Sequence, residues 1–373
     1  MSVVIAGGGP AGALSACLLA RAGLHPMLLE RDAGPQDKIC GEFVSQEAKH
    51  YLAAVGIDVA TLGAAEIPAM RLVHRRTIVE TRLPFSGAGL SRRVMDEALL
   101  QRAKNLGADI HRGCQVRSVT LEDDPVLDIA GVHVGAPTLF LATGKYDLRG
   151  SPRVPARTPE KLIGFKLHLR LAPAQVAALR GHVEVILFDA GYAGLQLIEN
   201  DTANLCLLVD RSRFDAFGQD WAALLNDLSR GCPHLARRLD GADIPQDRPL
   251  TIFRVPYGYV HAEAANDHAG VFRLGDQAAV IPSFCGDGMS IALHSAQLAV
   301  ATFLAHGNDA GRYHRALRMD VGGSVRLAFG LYRAAQTLPM RAIMVQACAR
   351  WPALIRTIAR RTRVPEAALL RAA

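Results

Sequence analysis

A glycine-rich turn at the start of the chain limits its fold more than any other feature. Gly7, Gly9 and Gly12 form GxGxxG within Ala6-Gly-Gly-Gly-Pro-Ala-Gly12-Ala13. The turn follows an apolar run, Ser2 to Ala6, that reads as a strand, and it opens an Ala- and Leu-rich segment, Ala11 to Gly23, with helical periodicity. A second apolar run, Pro26 to Glu30, completes a βαβ unit, and Glu30 stands 18 residues after Gly12. In such a unit the first glycine allows the tight turn, the second lets backbone approach a pyrophosphate, and the third lets helix and strand pack closely. The free N–H groups at the helix start favour the negative charge, and the acid at the strand end accepts from ribose hydroxyls. The spacing therefore predicts a dinucleotide site on a doubly wound sheet.

Further along, Ser91 is an N-cap for a helix carrying Met95, Leu99, Ala103 and Leu106 on one face, with Gly107 ending it. Ala108–His111 and Leu139–Ala142 read as further strands of the same sheet. From Gly164 to Val209 the pattern changes to short alternating runs separated by turn residues, the mark of a meandering antiparallel sheet, which Leu250–Tyr259 extends after a helix near Trp221. A strand at Phe272–Leu274 and a long apolar helix from Met289 to Leu304 return to the first texture. The expectation is α/β: a Rossmann-like nucleotide domain (residues 1–60, 91–150 and 268–325) interrupted by an antiparallel β-sheet substrate domain (61–90 and 151–267). Residues 326–373 form a C-terminal helical region. A length of 373 residues, half of them hydrophobic, is ample for two cores.

The net charge of +7 could suggest nucleic acid, but the arginines are scattered and no basic helix or aromatic-lined RNA motif appears, which argues against it. One dense basic stretch, Arg350 to Arg363, has Trp351, Leu354, Ile355 and Ile358 at helical spacing. It suits either peripheral contact with an anionic membrane or, more simply, a helix packing its apolar side on the body. Seven cysteines show no CxxC pair and no metal spacing, so reduced thiols and no metal are expected. The absence of a charged leader before Ala6, and of an apolar run of about 18 residues, leads to an expected cytoplasmic location.

The far end of the chain chooses the nucleotide. Arg273-Leu-Gly-Asp276 follows a strand and leads through Pro282 to Gly286-Asp-Gly288-Met289 at the start of the long helix. This resembles the second FAD motif of the p-hydroxybenzoate hydroxylase and geranylgeranyl reductase superfamily. The resemblance implies an aspartate on the ribityl chain and a helix start at the flavin pyrimidine edge. Lys38-Ile-Cys-Gly-Glu42 resembles the Cys-Gly segment of geranylgeranyl-reductase-like flavoproteins. Arg92 resembles the arginine heading the FAD-contacting helix, Val116 falls where backbone reads the adenine, and Ala142-Thr-Gly144 resembles the strand end closing over the cofactor. The resemblance spans roughly residues 1 to 305 and implies an FAD set of Gly7, Gly9, Gly12, Glu30, Arg31, Lys38, Arg92, Val116, Gly144, Asp276, Gly286, Gly288 and Met289.

Two departures matter. Thr143-Gly144-Lys145-Tyr146-Asp147 stands where the hydroxylase branch carries an Asp-Gly motif serving FAD and NADPH, and no second GxGxxG exists, so direct use of NAD(P)H is in question. Trp221 and Trp351 are isolated, so the Trp-x-Trp-x-Ile-Pro segment of flavin halogenases is missing.

Because a flavin carries its own redox chemistry, few catalytic residues need show in the sequence. Glu42, in a segment expected near the isoalloxazine, could act as acid or base, or be a loop carboxylate pairing Lys38 or a backbone amide. Lys166 and His168 share one strand face with Arg170, which suits catalysis, substrate binding or plain solvation. Tyr192, Tyr257 and Tyr259 could line a pocket or be ordinary sheet residues. Cys40 and Cys285 read as small buried hydrophobes rather than a redox dithiol. The whole implies an FAD-dependent oxidoreductase of monooxygenase or dehydrogenase type acting on a small apolar organic substrate, with electrons from that substrate, from NAD(P)H or from a partner reductase. A geranylgeranyl-reductase-like double-bond reductase and an electron-transfer partner protein are the alternatives.

Overall fold

The computed structural model describes residues 3–154, 161–244, 249–264 and 267–371. Strand β1 (Val3–Ala6), helix α1 (Pro10–Arg21) and strand β2 (Met27–Glu30) form the expected βαβ unit, Ser2 of that reading lying outside the described residues. A two-residue strand, β3 (Phe43–Val44), and α2 (Gln46–Ala54) lead into a long hairpin of β4 (Ala65–His74) and β5 (Thr77–Gly89). Then come α3 (Arg92–Asn105), β6 (Asp109–Arg112), three short strands β7 (Val116–Leu121), β8 (Pro125–Ile129) and β9 (Val132–Gly135), and β10 (Thr138–Leu141). The next segment runs β11 (Leu162–Leu169), α4 (Pro173–Leu179), β12 (His182–Phe188), β13 (Gly191–Leu197) and β14 (Ala203–Asp210). After α5 (Arg211–Ala216), α6 (Trp221–Gly231), α7 (Pro233–Leu239) and β15 (Leu250–Phe253), strand β16 (Val271–Arg273) returns to the first layer. Helices α8 (Gly288–His306), α9 (Ala310–Ala335), α10 (Leu338–Arg350), α11 (Ala353–Arg361) and α12 (Glu366–Arg371) close the chain.

Five strands make a parallel sheet in the order β16-β10-β1-β2-β6. Its central strands β1 and β10 are buried at every position, because a parallel sheet has helices or other layers on both faces. Ser91 caps α3 through a bond from Val94 N–H, and Gly107 follows its end at φ +101°, as the spacing predicts. The helices α1, α3 and α8 share one apolar core with Ile5, Phe140 and Phe272 of the sheet.

The second sheet has eight strands in the order β15-β11-β14-β13-β12-β4-β5-β3. It is mixed rather than wholly antiparallel: β12 runs parallel to β4, and that pairing joins the 65–89 hairpin to the meander. Alternation in a single strand cannot reveal this, since it sets which face is buried and not which neighbour runs alongside. Its second core packs Phe165 against Trp221 and Phe214 beneath α5 and α6. Two other expectations change. The strand expected over Leu250–Tyr259 stops at Phe253, where Arg254 has φ +57° and Gly258 φ +82°, conformations that leave the ladder. Strands β7, β8 and β9 form a small separate sheet over the nucleotide side, a feature unmarked in the sequence reading. Among the described residues, α8 is long and apolar enough to cross a membrane by length and composition, and 67% of its most apolar window is buried in the body.

Candidate functional site

The glycine turn lies between β1 and α1. A side chain on Gly7, whose φ is +111°, would strike the Ala142 carbonyl, and one on Gly12 would strike the Gly7 carbonyl, so turn, strand end and helix approach as the motif requires. Gly9 is the N-cap of α1 with Pro10 in the first turn, and no side chain caps the helix, which leaves its first N–H groups for a ligand. Opposite Gly9 stands Arg92, whose guanidinium makes a two-point bond to Asp96 at 2.8 and 2.6 Å. Burial alone would lower the Arg92 pKa, and Asp96 more than reverses this, raising it.

Glu30 ends β2 with both oxygens at the phosphate loop. Gly8 N–H donates to Oε2 at 2.6 Å and Asp32 N–H to Oε1 at 3.0 Å. A carboxylate has about four acceptor positions, so this bracing leaves room for ribose hydroxyls. Lys38 pairs with Asp32 and lies 3.8 Å from Glu30, while Arg31 stacks over the Tyr146 ring at 4.3 Å. Glu30, Arg31, Lys38, Arg92, Val116 and Gly144 all border one cavity of about 1240 Å³.

The same cavity reaches Asp276, Gly286, Gly288 and Met289. Like α1, helix α8 starts without a side-chain cap, and a Cβ on Gly288 would meet nothing within 4 Å, so its N-terminus faces open cavity. Asp276 is 3.4 Å from Lys145, a partly exposed cation whose pKa burial lowers and Asp276 raises further, for a net increase. Arg153 ties the two loops together, donating to the carbonyls of Asp276 and Lys145 at 3.0 and 2.8 Å and to the Asp147 carboxylate at 2.6 Å. Gln277 adds bonds to the carbonyls of Gly144 and Tyr146. Two uncapped helix starts, with Glu30 at one end and Asp276 at the other, thus surround a groove whose donors suit an extended, anionic dinucleotide, and FAD fits them.

Glu42, Lys166 and His168, far apart in sequence, converge. Glu42 is fully buried with φ +58°. Its Oε1 accepts from Lys166 Nζ at 2.5 Å and from Arg92 N–H at 2.9 Å, and its Oε2 lies 2.7 Å from His168 Nε2. Gln196 and Leu90 bond its carbonyl. Only Glu42 of the three borders the cavity; Lys166 and His168 stand behind it. The backbone-amide pairing is met by Arg92 N–H, while the pairing with Lys38 gives way to a buried one with Lys166, so Glu42 braces the start of α3. Asp37 closes the outer side 3.8 Å from His168 Nδ1. Burial pushes its pKa up, but the Arg93 bond and the nearby Lys166 and His168 bring the net value below the ordinary one.

Beyond the flavin-length groove the cavity becomes apolar, between the β4, β12 and β13 face (Met70, Leu72, Val183, Val185) and the C-terminal helices (Tyr332, Val345, Ile355). At the junction three hydroxyls meet: Tyr192 and Tyr257 lie 2.5 and 2.6 Å from Ser283 Oγ and 3.0 Å from each other. Burial raises both phenol pKa values, so they stay protonated. Tyr259 instead lies in a core beside His261. Burial pushes the Cys285 thiol up to about 12, which removes it as a thiolate. Asp287 is buried beside the α8 start, accepting from Arg363 at 3.2 Å and Val364 N–H at 3.0 Å, and burial carries its pKa up to about 7 despite Arg363.

Sequence reasoning missed Lys145, Arg153, Ser283 and the whole C-terminal wall. Lys145 had a signal, since it occupies the stretch where the hydroxylase pattern breaks. Arg153 and the cavity-lining residues of α9 to α11 had none, because helical periodicity marks a buried face without naming what it is buried against.

Comparison with known proteins agrees with this geometry. Residues 1–131 match the FAD binding domain family. Digeranylgeranylglycerophospholipid reductase 2 of Methanopyrus kandleri is 32% identical over 149 residues, which is 38% of this chain and 37% of that protein's length. Menaquinone reductase of Mycobacterium tuberculosis is 24% identical over 85% of this chain and 79% of its own. The solved structure of the flavin-dependent brominase Bmp2 superposes with a TM-score of 0.77 at 19% identity, covering 97% of this chain and 93% of that one, a likeness of fold. Residues 1–131 are thus an FAD-binding domain, and the chain as a whole is similar to flavin-dependent reductases and halogenases.

Proposed function

We propose that the protein oxidises, hydroxylates or reduces an apolar organic molecule bearing a single oxygen function, bound in the chamber between the second sheet and the C-terminal helices. The observation that carries this is the single cavity running from the dinucleotide groove into an apolar chamber, with one cluster of neutral hydroxyls at the junction. At about 1240 Å³ it exceeds the 300 to 1,000 Å³ usual for one small ligand.

Bound FAD supplies two-electron redox chemistry through its isoalloxazine ring. The chain's residues bind and orient. The α1 start, Arg92 and Glu30 would hold the pyrophosphate and ribose, while Asp276 and the α8 start would hold the ribityl chain and ring edge. Tyr192, Tyr257 and Ser283 can circulate three hydroxyl protons among themselves, or turn one outward to a substrate oxygen. The apolar walls on either side exclude water and strengthen that bond. We further propose that electrons come from the substrate or a partner reductase, because Lys145 stands in, and Arg153 braces, the loop where the hydroxylase branch keeps its Asp-Gly motif.

The test uses purified protein, expected to be yellow and to release FAD on denaturation. Apolar phenols and alcohols should perturb the flavin spectrum saturably and bind at least about fivefold tighter than hydrocarbons of equal size, as one hydrogen bond warrants. Recovery of FMN, or equal affinity for the hydrocarbons, overturns the reading. Fast, saturable anaerobic reduction by NADH or NADPH alone would refute the proposed electron source.

A further inference from the structure

The net charge of the chain is concentrated in its last helices. Residues 326–373 contain nine arginines and one acid, Glu366, so the rest of a chain of charge +7 is slightly acidic. Arg350, Arg356, Arg360 and Arg361 are exposed on α10 and α11. The same stretch also exposes apolar side chains: Met340 43%, Ile343 61%, Trp351 58% and Leu354 39%. With Leu338 these make five of the fourteen exposed large apolar side chains among the described residues, all within seventeen positions. Isolated exposed apolar residues are ordinary on any surface, but a cluster rimmed by charge of one sign marks an interaction site.

The opposite sides of the same helices, through Met344, Val345, Cys348, Ile355 and Ile358, line the apolar chamber. The two helices therefore have apolar residues on both sides, which packing on the body does not require. Arg350 also lies over the Trp351 ring at 5.6 Å, placing cation and indole at one level. Indole with arginine beside aliphatic side chains is the combination that settles at a headgroup boundary, with the apolar face about 5 to 10 Å deep and the guanidinium groups among anionic phosphates.

We propose that the outward face of α10 and α11 docks on an anionic lipid bilayer. The chamber then sits one helix away from the acyl region. Docking needs no assumption about the reaction, so it stands or falls separately from the activity.

Trp221→Phe makes Trp351 the sole tryptophan, since the chain has two and Trp221 is packed on Phe165. The FAD-loaded variant is mixed with vesicles of phosphatidylcholine alone, with vesicles also containing phosphatidylglycerol, and with polyglutamate. Trp351 emission should shift to the blue, and the protein should sediment, with the phosphatidylglycerol vesicles only. Replacing the four exposed arginines by Gln should weaken that binding more than 100-fold, at about fivefold for each. Ile343→Ser, a single exposed change that should leave flavin content and Tm as in the parent, should reduce both the shift and the affinity. Equal behaviour with both vesicle types, absence of sedimentation, or unchanged affinity in Ile343→Ser overturns the proposal. The same blue shift with polyglutamate would assign the face to an acidic protein instead.

Discussion

Glu184 in the second sheet and Asp287 in the flavin cleft are both fully buried carboxylates beside arginine, yet their pKa values move in opposite directions. Glu184 on β12 is reached by Arg71 at 3.0 Å, Arg238 at 2.8 Å and His234 at 2.7 Å. Burial alone would raise its pKa, but His234 and Arg238 bring it down to about 2. Asp287 has one arginine, Arg363, and a neighbouring carboxylate, Glu47, so burial prevails and its pKa rises to about 7. Equal burial gives opposite results because the number of cationic donors differs. Glu184 is a fixed anion holding α7 to the sheet. Asp287, buried at the start of α8, is shifted toward neutrality instead.

The largest effect should separate the two directly. Glu184→Gln leaves Arg238 buried without its anion, while Arg71 keeps Glu80, and should cost about 3 to 5 kcal/mol in urea unfolding. Asp287→Asn keeps an acceptor for Val364 N–H and should cost less than about 1 kcal/mol at pH 7. Equal losses would break the comparison.

The pH dependence should differ in sign. Glu184 has a folded pKa near 2 against an ordinary 4.5, so its stabilisation is present above pH 4.5 and fades as pH falls toward 2. Asp287 is the reverse: with a folded pKa near 7 against 3.8, its contribution is complete below pH 3.8 and is lost as pH rises through 7. Each swing is of order 3 kcal/mol. Stability measured across pH should lose its acid limb in Glu184→Gln and its neutral limb in Asp287→Asn.

Carboxylates that face the ligand should show a third behaviour. Glu30→Ala should weaken FAD by about 1.5 to 3 kcal/mol and Asp276→Ala by about 1.5 kcal/mol, read by titration of apoprotein, with smaller changes in apoprotein stability. Unchanged affinity in either would remove that residue from the cofactor site. The smallest effect is at the hydroxyl cluster. Tyr192→Phe should cost about 1 kcal/mol in affinity for an oxygenated ligand and nothing for the matching hydrocarbon.

Local chemistry was legible in the sequence and convergence was not. Gly7 to Gly12 and Glu30 belong to one βαβ unit, whose spacing dictates geometry, and Asp276 could be read because a strand precedes it and glycines follow. The meeting of Glu42 with Lys166 and His168 spans more than 120 residues and depends on β11 lying across the 38–42 loop, which Asn204 holds through the Cys40 and Gly41 carbonyls. The carboxylate read as acid, base or loop partner has both oxygens on donors that no local pattern could count. The parallel pairing of β12 with β4 escaped for the same reason: alternation is a property of one strand, and direction is a property of two.

The flavin cleft is joined from β1, β10, β16 and, at Asp287, from Arg363 and Val364. During synthesis the nucleotide loop therefore leaves the ribosome long before the rest of its site exists. At about 5 to 20 residues per second, the interval from Gly12 to Val364 is roughly 20 to 70 s. Within that interval β2 gains β6 and β1 gains β10 early, while β10 keeps an open edge until β16 is made. Some of the last residues to be made thus brace the start of α8, across the cavity from the first loop.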